Sequence, residues 1–126
     1  MIPILLLTHQ GVGHALAHAA GEVLGRAPEA LVVVEVPMDS ATDQVEQQLL
    51  ATLDQIDQGE GVLVLTDLFG ATPTNCACRL TERRMRIVSG ASLGMLLSCL
   101  THARDDLNQL TEKATAAGVR AVVCCR

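Results

Sequence analysis

Two residues carry side chains that can do chemistry together. His9 closes the apolar run Ile4-Leu5-Leu6-Leu7-Thr8, and Asp67 follows a second run, Val62-Leu63-Val64-Leu65-Thr66. A carboxylate bonded to Nδ1–H holds an imidazole in the tautomer that leaves Nε2 free and nucleophilic. Behind the histidine lie Gly11, Val12 and Gly13, whose backbone N–H groups can face inward where no Cβ intervenes. They precede a helical pattern, and a helix N-terminus favours an anion. A second helix start, Thr72-Pro73-Thr74-Asn75, adds hydroxyls and further N–H groups. A nucleophilic histidine between two such helix starts suits reversible phosphoryl transfer, in which preorganised donors hold the oxygens of a dianionic group. Each residue also has a plainer reading. A histidine ending a strand can be a hydrogen-bonded loop residue, and an aspartate after a strand is a common turn or cap.

These residues need a scaffold that brings strand ends together. The 126 residues are 49% apolar and 18% charged, which excludes a disordered chain and allows one domain with a sizeable core. Phe69 is the single aromatic residue, so the interior is built from Leu, Val, Ile, Ala and Met. That composition suits a parallel sheet covered on both faces. Strand-like runs at 2–8, 30–36, 61–67 and 85–90 alternate with helical patterns at 12–25, 42–57, 73–81, 92–100 and 105–117. This predicts an α/β fold, open and doubly wound, with a mostly parallel sheet and helices on both faces. Ser40 or Thr42 is a candidate cap for the second helix, Pro73 suits the first position of the third, and Gly118 reads as the stop of the last. Residues 119–125, VRAVVCC, read as a final edge strand. Such a strand can join its own sheet or that of a second copy.

The net charge of −5 argues against nucleic acid as a partner. No apolar run approaches the roughly 18 residues that span a bilayer, and no basic segment precedes the first one as in a signal peptide; a cytoplasmic location follows. The five cysteines form no CxxC pair and read as reduced, and no metal site is expected. His14, His18 and Glu22 share one side of the first helix, beside a core stripe at 16, 19, 20 and 23, and read as solvated. Arg79, Arg83, Arg84 and Arg86 are the one basic cluster, either a solvated helix end or a docking patch for an acidic partner.

The strings LVLTDLFGATPTN (63–75) and SGASLGMLL (89–97), with the opening strand that ends in Thr8-His9, resemble the mannose-type IIA domain of the bacterial phosphoenolpyruvate-dependent sugar phosphotransferase system. The likeness runs across essentially the whole chain and identifies 1–126 as a single domain of that type. It implies that His9 accepts a phosphoryl group from the phosphohistidine of the carrier HPr and that Asp67 orients it. The phosphoryl oxygens would lie among Gly11, Val12, Gly13, Thr72 and Asn75. It further implies a homodimer in which the C-terminal strand is exchanged, no cofactor, and onward transfer to a separate IIB protein or a regulatory role, peripheral to membrane transport. Ala71, Thr72, Thr74 and Gln10 depart from the residues most frequent at their positions in that family. A phosphotransfer subunit of a dihydroxyacetone kinase system is a related alternative, although its usual motif after the aspartate differs. The alternative from another class is a non-covalent α/β module for a nucleotide or anionic metabolite. The chain has neither a Walker-type phosphate loop nor a GxGxxG string to support it. A receiver domain phosphorylated on aspartate would need an acidic cluster at the first strand end, where none stands.

Overall fold

Strand β1 (Ile4–His9) runs through the middle of the molecule, and the residues Ile4 to Leu7 are wholly buried. A computed structural model describes all residues, 1–126, and sets four strands in the order β2-β1-β3-β4, all parallel. The others are β2 (Leu31–Val36), β3 (Val62–Thr66) and β4 (Met85–Ser89). Their side chains alternate between two cores, as the pleat requires. Ile4, Leu6, Leu63 and Leu65 pack with α1 (Gly13–Leu24), α4 (Leu93–Thr101) and α5 (Leu107–Arg120) on one face. Leu5, Leu7, Val62 and Val64 pack with α2 (Thr42–Ile56) and α3 (Thr72–Cys78) on the other. Two covered faces explain why the strands read as unbroken aliphatic runs.

The strand order has a direct consequence for function. From β1 the chain steps outward to β2, then crosses back to β3 on the other side and on to β4. The direction of winding reverses between β1 and β3, and a crevice opens there beyond the carboxyl ends of the strands. His9 ends β1, and Asp67 is the first residue after β3.

Several expectations need correction. Val23 is 63% exposed, one turn beyond Ala20, the last fully buried residue of α1. Neither Ser40 nor Thr42 caps α2; Ala41 holds the N-cap position without a side-chain bond, and Asp43 supplies negative charge in the first turn. Thr72 rather than Pro73 opens α3. Gly118 does not stop α5, which continues to Arg120. A Cβ at Gly118 would lie 2.6 Å from Met95 Cε, so this glycine permits close packing of α5 on α4. The edge strand expected at 119–125 does not form within the chain. Residues 119 and 120 belong to α5, the remaining tail is irregular, and Val119, Val122 and Val123 are exposed.

Candidate functional site

The end of β1 is held from both sides. Thr8 is fully buried, and its hydroxyl donates to the His9 carbonyl at 2.8 Å. His9 Nδ1 lies 2.9 Å from Asp67 Oδ2, and the His9 backbone N–H donates to the same oxygen at 3.2 Å. An ionised carboxylate only accepts, so the ring proton sits on Nδ1 and Nε2 keeps its lone pair. The His9 side chain is 28% exposed and that of Asp67 14%. The imidazole therefore reaches the surface while the carboxylate bonded to it stays largely covered. Two contacts to one carboxylate oxygen fix ring and backbone together across 58 residues of sequence.

The turn after His9 is organised differently from the expectation. The Val12 N–H donates back to the His9 carbonyl at 3.3 Å, and Gly11 adopts φ +93°, a conformation that favours glycine. Gly13 is glycine for packing: a Cβ would lie 2.8 Å from Val33 Cγ1 and 2.9 Å from Thr8 Oγ1. The N-terminus of α1 already holds an anion. The His14 N–H donates to Glu35 Oε2 at 2.9 Å. That bond, followed by the pull of the Gly11 N–H and, more weakly, the Gly13 N–H, holds the Glu35 carboxyl below its ordinary value. The Val12 and His14 N–H groups thus have partners inside the protein. Sequence reasoning missed Glu35. The available signal was a lone charge inside the β-branched run LVVVEV, at a period-2 position shared with Leu31 and Val33.

At the second helix start, Thr72 and Asn75 are exposed at the same sheet edge, and Asn75 Nδ2 donates to the Gly70 carbonyl at 3.2 Å. Thr74 points inward. Its Oγ1 lies 2.7 Å from the Leu68 carbonyl and 2.7 Å from Thr66 Oγ1, which in turn lies 2.9 Å from Ser89 Oγ. Each hydroxyl has one proton and the carbonyl has none. The chain therefore runs from Ser89 through Thr66 and Thr74 to Leu68 O, pinning the loop after Asp67 to β3 and β4. Thr74, a second residue the sequence left without a role, braces the loop that carries the carboxylate.

The model of the EIIA-man family, described as the PTS system fructose IIA component, matches residues 3–117. The chain belongs to this family. It is 31% identical over 107 residues to the PTS system mannose-specific EIIAB component of Escherichia coli K12, covering 83% of this chain and 32% of that protein. It therefore spans about a third of that relative's length. It is 27% identical over 103 residues to the PTS system fructose-specific EIIA component of Bacillus subtilis 168, covering 80% of this chain and 70% of that one. Among solved structures, the mannose/sorbose-specific IIA subunit from Enterococcus faecalis superposes with a TM-score of 0.89 at 23% identity, over 100% of this chain and 96% of that one. The EIIA component from Streptococcus agalactiae gives 0.83 at 22% identity, over 98% and 97%. At such identities these two structures speak for the fold.

In this IIA-family chain the remaining candidate residues lie apart from the histidine. His14 and His18 are exposed, and His18 Nε2 sits 3.7 Å from Glu22 Oε1 on the outer side of α1. Cys76 and Cys99 are buried, and desolvation pushes both thiols up, Cys99 to about 12. Cys78, Cys124 and Cys125 are exposed. Arg83, Arg84 and Arg86 lie toward the opposite edge of the sheet, around the start of β4, where Arg83 pairs with Asp54; Arg79, at the end of α3, has its Nε 3.2 Å from Glu46 of α2. At roughly 3.3 Å per strand residue the two edges are about 15 Å apart, so the start of β4 lies away from His9 itself. Exposed apolar side chains stand at the carboxyl edge: Phe69 is 78% exposed, with Leu68 before it in the loop after β3, and Met38 is exposed in the loop after β2. No helix is long and apolar enough to cross a membrane.

Proposed function

We propose that this IIA-family chain is a cytoplasmic histidine phosphocarrier, with residues 1–126 acting as one domain. The single observation that carries the reading is the 2.9 Å contact between His9 Nδ1 and Asp67 Oδ2 at the switch point of the sheet. Nε2 of His9 attacks the phosphorus of phosphohistidine on HPr. The new N–P bond forms as the donor's N–P bond breaks, and that bond's electron pair returns to the donor imidazole. His9 acquires positive charge as it bonds phosphorus, and the Asp67 carboxylate stabilises it while keeping Nδ1–H in place. Thr72 and Asn75 offer donors to the phosphoryl oxygens. Gly11, Val12 and Gly13 shape the turn that presents the ring. Transfer between two imidazoles depends on alignment and exclusion of water, which the exposed Phe69 and Leu68 can supply against a docked partner.

The onward acceptor in this reading is a IIB component or a regulatory target. The exposed Val119, Val122 and Val123 beside the outer edge of β4 support a homodimer formed by exchange of the C-terminal segment. The decisive experiment incubates the purified protein with phosphoenolpyruvate, enzyme I and HPr and measures intact mass at alkaline pH. The expected outcome is the gain of one acid-labile phosphoryl group that His9→Ala abolishes. No gain in the presence of phosphorylated HPr would overturn the carrier reading and favour a non-covalent binding module.

A further inference from the structure

We propose that Glu35 is the positioning residue of the His9 turn: its carboxylate fills the N-terminus of α1 as a built-in anion and thereby directs any transferred group to the α3 side of the crevice. The second half of this statement rests on the phosphocarrier reading; the first does not.

The start of α1 has no local solution for its free N–H groups. Its N-cap residue, Val12, makes no side-chain bond, and the first turn contains no acidic residue. Helices that begin this way leave up to four donors without partners. The partner comes from across the sheet. Glu35 stands opposite Thr8 in the parallel pairing of β1 with β2, one position before His9 pairs with Val36. Its side chain shares a face with Leu31 and Val33, which pack against the α1 side of the sheet. From there Glu35 Oε2 accepts the His14 N–H at 2.9 Å. The Gly11 N–H, and more weakly the Gly13 N–H, add to the pull of His14 in holding the Glu35 carboxyl below its ordinary value.

Gly13 makes this reach possible. With no Cβ it lets the helix start sit directly on β2; an added Cβ would lie 3.6 Å from Glu35 Cγ and inside contact distance of Val33. One carboxylate therefore ties together the residues just after His9, while Asp67 holds His9 itself. The ring is fixed from two directions by two anions on neighbouring strands. An incoming phosphoryl group carries the same sign as Glu35 and finds the His14 N–H taken, so its oxygens turn toward Thr72 and Asn75.

Glu35→Ala and the near-isosteric Glu35→Gln test this, with formate as the probe. Formate titrated into wild-type protein is expected to leave the Gly11, Gly13 and His14 amide resonances unmoved, and in Glu35→Ala to shift them saturably as it enters the vacated place. Phosphorylation of His9 by phosphorylated HPr should slow roughly ten- to a hundredfold in Glu35→Ala, as for a misplaced reacting group. Formate should restore a good part of that rate in the variant and none in wild type, and Glu35→Gln, which keeps an acceptor oxygen, should lie between. A folded Glu35→Ala whose three amides ignore formate would overturn the proposal, as would a slow variant that neither formate nor the Gln side chain rescues. If wild-type protein takes no phosphoryl group at all, the carrier reading fails by itself, and the formate shifts in the two variants still decide whether Glu35 holds the turn.

Discussion

The two edges of the sheet both carry polar groups and treat them in opposite ways. At the carboxyl edge Thr8, Thr66 and Thr74 are buried, and Asp67 and Glu35 each bind backbone N–H groups from a distant part of the chain. At the other edge the guanidinium groups of Arg83, Arg84 and Arg86 line an open cavity of about 360 Å³. Arg84 reaches only the Gly59 carbonyl at 3.4 Å, and Arg86 reaches Asn108 at 3.3 Å. Exposed long side chains in such contacts contribute little, because water and lost rotamer freedom offset the attraction. Buried or half-buried groups on short side chains hold position, and position is what a reacting imidazole requires. The contrast teaches that residue charge alone is a poor guide to where a site lies; the number of covalently remote groups that converge on one atom is a better one.

Breaking the carboxyl edge at its centre should have the largest effect. Asp67→Asn removes the negative charge and puts an amide that can also donate in place of an acceptor-only carboxylate, so the Nδ1–H tautomer is no longer enforced; phosphorylation of His9 is expected to slow by about 10²- to 10⁴-fold, read by single-turnover transfer from phosphorylated HPr. A fall of less than threefold would mean that the ring is oriented by something else. Thr74→Val keeps the shape but interrupts the hydroxyl chain, leaving the Leu68 carbonyl and Thr66 short of a partner. A loss of about 1–3 kcal/mol in chemical denaturation is expected. At the opposite edge a backbone change should still register, because Gly61 adopts φ +94° and a Cβ there would lie 3.0 Å from the Arg84 carbonyl. Gly61→Ala should cost on the order of 1–2 kcal/mol.

The same contrast appears in the thiols. At pH 8 a thiol reagent should label Cys78, Cys124 and Cys125 rapidly and reach Cys76 and Cys99 only on unfolding. Since burial raises Cys99 from 9.0 to about 12, the unfolded chain loses its proton first, and stability should decline as pH rises between those values. Equal labelling of all five would contradict the packing of α4 against the sheet. The smallest effect belongs to the double variant Arg84→Ala/Arg86→Ala. It should leave the transfer rate unchanged and stability within about 0.5 kcal/mol of wild type. A strong loss of transfer would assign the arginine cluster the partner-docking role rather than that of a solvated surface.

Much of this molecule is legible in the amino-acid sequence because parallel α/β folds follow from local patterns. Aliphatic runs bounded by glycines and proline, alternating with 3.6-periodic segments, determine the elements and their order to within a few residues. Adding the pairing of His9 with Asp67 requires only that chemistry gathers at the carboxyl ends of strands. Other features needed three dimensions. Gly118 reads as a stop in one dimension and is a spacer for Met95 in three, because helix packing distance is set by a neighbour 23 residues away. The tail at 119–125 has strand composition, yet a strand exists only where another strand accepts its hydrogen bonds, and none within the chain does. Glu35 looks like a blemish in a buried run until the β1–β2 register sets it beside Thr8, under the uncapped start of α1. The sequence by itself determined the first nine elements, the sheet type and the two strand ends that carry His9 and Asp67, all of which rest on short-range pattern. Which backbone donors remain free for a ligand was decided by the tertiary structure alone, because an N–H group is spent or available according to what folds over it.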